Sequence, residues 1–270
     1  LISTQLLHAG GGWTQGKGNG FFMLSQRYIG GSWYANNNAE ILQIDGLKSH
    51  VLTTHFYGEF GLTNRLDVIF HSPFITSASY SLETATDGLP ALNDQNTGFG
   101  DCDMALKYKL HSGALHISAT AQIGLPTGAP RPGLFGSVGT VIGDGEFNQM
   151  AKLDISAGLG KGYFSTMIGF NNRTNSFSDE FHLSAEAGLI KGNFIGILKL
   201  YWLESFENGD AAPAYVPGIY SNNLEYVAIN PVFIYKKNNK GLILDLGFAP
   251  YLRNIIAAPS FNFGVFFELK

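Results

Sequence analysis

Apolar and polar residues alternate in long runs from about residue 20 to the end of the chain. A period of two is that of an extended strand whose faces meet different surroundings. Over residues 114–126, Leu115, Ile117, Ala119, Ala121, Ile123 and Leu125 share one face, and His116, Ser118, Thr120, Gln122 and Gly124 share the other. Residues 98–110 repeat the pattern, with Cys102, Met104, Leu106, Tyr108 and Leu110 opposite Asp101, Asp103, Lys107 and Lys109. Helical spacing is nearly absent. The same parity predicts strands near 20–34, 48–62, 65–76, 97–110, 114–126, 147–159, 162–174, 179–190, 193–205, 222–236, 240–252 and 258–269.

The connections have their own regularity. Residues 62–65, 111–114, 160–162, 191–193 and 237–240 are tight and rich in turn-forming residues. Between them fall the longer connections 35–47, 77–96, 127–146, 175–178, 206–221 and 253–257. Outer-membrane barrels alternate short periplasmic turns with longer outer loops, have even strand numbers, and need roughly 9–11 residues per crossing strand. The pattern therefore predicts an all-β fold: a closed antiparallel transmembrane β-barrel of about 12 strands over residues 20–270, with both termini periplasmic. Residues 1–19 precede it as an N-terminal periplasmic segment or a lumen plug, since their glycines permit folding inward.

A soluble sandwich or lipocalin-like barrel would also alternate, with its apolar faces inside. That many apolar faces rich in Phe, Leu, Ile and Val exceed what one small interior holds, so the apolar side is expected to meet lipid. Interfacial aromatics are then expected among Tyr28, Trp33, Tyr34, Phe56, Phe60, Phe70, Phe74, Tyr108, Phe164, Phe170, Trp202, Phe233, Tyr235, Phe248, Phe261, Phe263 and Phe267.

Composition excludes some functions. Lys+Arg 17 against Asp+Glu 21 gives a net charge of −4, unlike a nucleic-acid binder. The single Cys102 forms no internal disulfide and argues against a thiolate metal cluster. The first residues, Leu-Ile-Ser-Thr-Gln, lack the basic and apolar regions of a secretory signal, so the numbering reads as that of a processed chain whose export is inferred from its architecture.

By parity the inward face carries the bases Arg27, Lys107, Lys109, Lys152, Arg173 and Lys199. It also carries the acids Glu59, Asp67, Asp101, Asp103, Asp154, Glu186, Asp245 and Glu268, and His55, His71, His116 and His182. Mixed signs in a confined lumen fit an ion-paired network or a solute path lined by the same groups. About eight strands leave an interior that side chains fill and 16–18 an aqueous channel, so the strand number leaves both open. His116 with Ser118, and His182 with Ser184, place a base and a hydroxyl on one face, but parity aims them inward with no acid fixed nearby. His55 and His71 approach Glu59 and Asp67 across a hairpin without a metal-site spacing. No cofactor or metal is expected. The glycines of 127–146 lack the Lys-Ser/Thr pair of a phosphate loop, and Asn36-Asn37-Asn38 and Asn208-Gly209-Asp210-Ala211-Ala212-Pro213 read as outer loops.

Several segments carry a resemblance. Gly12-Trp13-Thr14-Gln15-Gly16-Lys17-Gly18-Asn19-Gly20 leads into the first strand, and Tyr57-Gly58-Glu59-Phe60-Gly61-Leu62-Thr63-Asn64-Arg65-Leu66 surrounds the first turn. Gly98-Phe99-Gly100-Asp101, Leu106-Lys107-Tyr108-Lys109-Leu110, Gly124-Leu125-Pro126-Thr127-Gly128 and Gly143-Asp144-Gly145 follow. Together they resemble a family of bacterial outer-membrane proteins named for the MetA pathway of phenol degradation, regarded as transporters. The likeness covers residues 12–160 by motif and the rest by architecture. It implies an outer-membrane channel or uptake role for small solutes, hydrophobic ones among them, and no catalytic residues. The leading expectation is passive transport, with outer-membrane lipid and a small solute as partners and no nucleic acid. A closed barrel anchoring a larger protein complex is the alternative, and a lipid-modifying enzyme the third reading.

Overall fold

The structure, a computed structural model, describes residues 11–43, 46–82, 92–128, 140, 142–211 and 220–270. Its strands are β1 (Gly20–Gly31), β2 (Trp33–Ala35), β3 (Ile41–Gln43), β4 (Leu47–Gly61), β5 (Leu66–Leu82), β6 (Leu92–Gly98), β7 (Cys102–Ser112) and β8 (Leu115–Leu125). They continue with β9 (Asn148–Leu159), β10 (Gly162–Arg173), β11 (Glu180–Lys191), β12 (Phe194–Ser205), β13 (Glu225–Lys237), β14 (Lys240–Arg253), β15 (Ile255–Ile256) and β16 (Ser260–Leu269).

Each large strand pairs antiparallel with the strands before and after it, and the pairing of first with last closes the ring. β1 joins β16, with Gly20 opposite Leu269, and β4 joins β5. β5 pairs with β7 over Leu66–His71 and with β6 over Thr76–Leu82, so β6 and β7 make one stave broken at Phe99-Gly100-Asp101. The result is a closed barrel of 12 staves. Two-residue turns set much of one rim: Gly160-Lys161, Gly192-Asn193 and Asn238-Asn239, each with positive φ at its first residue, as a tight hairpin of this kind requires. The ends Gly20 and Leu269 lie on this same rim, opposite the long connections.

Burial follows the parity. On β7, Ala105 and Lys107 are buried and Met104, Leu106 and Tyr108 exposed. Leu24, Leu52, Leu115, Leu153, Ile168, Leu198, Phe233, Leu244 and Phe263 add exposed apolar side chains around the barrel. A soluble monomer does not present a belt of this extent to water, and in lipid only a closed barrel or a helix satisfies its backbone. No described helix is long and apolar enough to cross a membrane. The chain is a transmembrane barrel of the outer-membrane type.

Several boundaries differ from the sequence expectation. The first strand stops at Gly31, because Trp33–Ala35 turns aside to pair with Ile41–Gln43 and Ile255–Ile256 in a three-stranded sheet at the long-loop end. Tyr34 is therefore buried in that sheet and is no membrane aromatic. The third barrel strand runs past residue 76 to Leu82 and takes β6 as its partner, so much of the expected 77–96 loop is wall. Bulges at Thr54/Phe56, Lys109/His111 and Val227/Ile229 absorb the register shifts. The run 129–133 lies outside the described residues.

Candidate functional site

The lumen has two unlike walls. Tyr163, Ile195, Ile197, Val232, Ile234 and Phe266 project inward from β10, β12, β13 and β16 and form a buried apolar cluster, flanked by Phe21, Met23, Ile190 and Ile243. Strand parity alone predicts a polar interior, and this apolar arc departs from it. Its signal was present in segments such as Ile195–Leu200 and Val232–Tyr235, where both faces are largely apolar. Opposite, on β4, β5, β7 and β9, lie Glu59, Asp67, Lys107 and Asp154, all buried.

Residues 11–19 run along the lumen between these walls. The Gly12 N–H donates to Ser156 Oγ at 2.8 Å, and the Gln15 N–H to Asp67 Oδ2 at 2.7 Å. The Lys17 N–H reaches Asn64 Oδ1 at 3.3 Å, and Ser118 Oγ donates to the Gly11 carbonyl oxygen at 3.5 Å. The Trp13 ring lies 5.7 Å from those of both His116 and Tyr163, edge-on to the tyrosine. A Cβ on Gly12 would stand 2.1 Å from the His116 carbonyl oxygen, so only glycine passes at that depth.

Above this segment three cavities adjoin, all lined in part by Asp103. The lowest, about 270 Å³, is bounded by Gly11, Tyr57, Lys107, Gln122, Lys152 and Asp154. The next, about 230 Å³, is bounded by Arg27, His55, His71, Pro73 and Tyr220, and a third, about 350 Å³, by Met150, Met167, Arg173, Glu180, His182 and Tyr201. A fourth, about 140 Å³, lies at the turn rim against Gln15, Asn19, Phe21 and Glu268. Residues 12–14 run between the cavity that Gly11 lines and the one that Gln15 lines.

The inward charges fall into groups. Lys107 Nζ donates to Glu59 Oε1 at 2.7 Å and to the Trp13 carbonyl oxygen at 3.1 Å, with Asp67 and Asp154 nearby. His55 Nδ1 and His71 Nε2 are 3.1 Å apart with their rings stacked, and His71 Nδ1 is 3.3 Å from Asp103 Oδ2. Lys152 bonds Gln122. Arg173, at the end of β10, gathers Asp144 at 3.1 Å, Glu146 and Glu180, and Glu180 passes the contact to His182 at 3.0 Å. Asp101, in the stave break, accepts from the N–H groups of Gly128 at 2.8 Å and Asp144 at 2.9 Å. Burial pushes the Glu146 carboxyl up to about 8 against the opposing pull of Arg173. Glu186 accepts from the Tyr163 hydroxyl at 2.9 Å and pairs with Lys199 at 3.5 Å, and Asp245 accepts from Asn230 at 2.8 Å. Lys109 sits at the turn rim, donating to the Asn64 carbonyl oxygen at 2.8 Å. Glu268 pairs with Lys236, a buried base that the inward set had omitted.

The two His/Ser pairs have other partners. His116 packs on Trp13 and lies 3.4 Å from Ser112 Oγ, Ser118 Oγ donates to the Gly11 carbonyl oxygen, and His182 bonds Tyr201 and Glu180. His55 meets His71, not Glu59, because Glu59 points lower, toward Lys107 and Tyr57.

Residues 45–252 match the family described as MetA-pathway of phenol degradation. The chain belongs to this family. Among solved structures it is similar to the COG4313 outer membrane channel from Pseudomonas putida F1, with a TM-score of 0.63 at 13% identity, covering 94% of this chain and 96% of that one. The translocator domain of the autotransporter NalP from Neisseria meningitidis aligns at a TM-score of 0.48 and 9% identity, covering 93% and 88%. The CymD monoaromatic hydrocarbon channel aligns at a TM-score of 0.43 and 8% identity, covering 94% and 89%. No curated protein matches in sequence. The family member thus shares its barrel fold with a known channel, while the match begins at residue 45, after the lumen segment.

Proposed function

We propose that this barrel is a passive channel of the bacterial outer membrane for small solutes, hydrophobic ones among them. On this reading the turn rim is periplasmic, and residues 11–19 are a plug entering from that side. The column of cavities from the Arg173 cluster down to Gly11 carries the proposal, because it gives a solute a continuous set of contacts that stops at the segment. The inward charges line this path or brace its wall, and the groups once considered for catalysis serve as packing and hydrogen-bonding partners. The two-sided lumen supports a solute with both apolar and polar parts.

Planar-bilayer recording tests the reading. The chain lacking residues 1–19 is expected to show a larger unit conductance than the full chain. Folded barrels that pass no current and swell no liposomes, with or without the segment, would overturn the channel reading. Equal conductance in both would overturn the plug.

A further inference from the structure

Arg27 is set apart from the other inward bases. Lys107, Lys109, Lys152, Arg173, Lys199 and Lys236 each hold a carboxylate, carbonyl or amide oxygen. Arg27, exposed to the lumen from β1, makes no hydrogen bond or ion pair among the described residues. Its guanidinium opens on the cavity of about 230 Å³, whose apolar lining is Ile29, Val51 and Pro73, with Tyr220 beside them.

Three carboxylates border that cavity, and each is engaged elsewhere. Asp101 accepts two backbone N–H groups, Asp144 pairs with Arg173, and Asp103 meets His71. The site therefore offers a planar fork of N–H donors, uncommitted among the described residues, beside an apolar recess. A carboxylate matches that fork in a bidentate geometry. Low-dielectric walls strengthen the attraction relative to open water. The recess is smaller than the roughly 300–1,000 Å³ of pockets for drug-sized ligands, which suits a single ring or a short chain.

We infer that Arg27 is the recognition residue for a small monocarboxylate with an apolar body, an anion of about the size of benzoate. The inference names a solute class for the channel proposed above, but binding at Arg27 does not require that the barrel conduct.

Isothermal titration of the full chain in detergent with benzoate, and with benzamide as its neutral isostere, separates the two. Benzoate is expected to bind about tenfold or more tightly than benzamide, as a charge-assisted pair provides. Arg27→Gln is expected to bring the ratio close to one, and Arg27→Lys to retain part of it, with the folded barrel confirmed by its heat-modifiable migration. Equal affinity for the two probes in the parent, or an undiminished benzoate preference in Arg27→Gln, would overturn the inference. Benzoate binding by a barrel that passes no current would sink the channel reading and leave this one intact, whereas conduction without benzoate preference would do the reverse.

Discussion

The Lys107 ammonium lies 3.1 Å from the carbonyl oxygen of Trp13, 94 positions earlier in the chain, and holds the lumen segment to the barrel wall. The same ammonium neutralises Glu59, whose side chain is wholly buried. Lys107→Met should therefore act twice, freeing the segment and stranding a buried carboxylate. Removing one partner of such a pair costs roughly 3–5 kcal/mol. The midpoint of heat-dependent unfolding in detergent should fall, and adding Glu59→Leu should restore much of it. A double variant no more stable than Lys107→Met would show that the stranded charge is not the cause.

Gly12 tests the seat of the segment without touching a charge. Gly12→Ala puts a methyl group against the His116 carbonyl, which backbone cannot yield. The expected outcome is a folded barrel with the segment displaced, cleaved by trypsin after Lys17 faster than the parent. Gly196→Ala, where a Cβ meets nothing within 4 Å, serves as the control and should leave cleavage unchanged. Equal cleavage in all three proteins would refute the seating.

Acidity should tighten the long-loop end. The Glu146 carboxyl is raised from an ordinary value near 4.5 to about 8, so the docked state holds a proton that an undocked loop releases. Between those values docking weakens as pH rises, and the stabilising contribution is complete only below the lower one. Hydrogen exchange over residues 142–147, corrected for intrinsic rates, should show protection declining from pH 5 to pH 9. Glu146→Gln should flatten the decline, and a parent profile that is already flat would contradict the account.

The outward belt makes a depth-dependent claim. Leu198 lies mid-strand on β12 and Leu159 at the turn rim, and both are exposed. Leu198→Arg should cost roughly 2–4 kcal/mol of folding into lipid vesicles, and Leu159→Arg about 0–1 kcal/mol. Equal costs at the two sites would place the lipid boundary elsewhere.

The strands were legible because their two faces meet different solvents, and a period of two survives wherever that holds. It failed where a segment left the wall: Trp33–Ala35 keeps strand chemistry but pairs in the small sheet, and Phe99-Gly100-Asp101 breaks a stave that parity carried through. Inward charges were readable from alternation alone, but their partners were not. Glu59 and Lys107 come from strands separated by β5, so their meeting depends on register and on side-chain reach over the intervening strand. Trp13 was hidden for another reason. Its segment has no periodicity, and its place depends on an apolar arc built from strands far later in the chain.

The ten-pair seam between β1 and β16 joins the first and last strands of the barrel, from Gly20 opposite Leu269 to Ile29 opposite Ser260. Loop-closure entropy must be met before so non-local a pairing is rewarded, so the seam belongs among the slow steps of folding. Until it forms, β1 and β16 each present an open row of N–H and C=O groups, the kind of edge that recruits another chain. The interval before closure is thus when this protein most needs an escort, and when a second copy is its most dangerous neighbour.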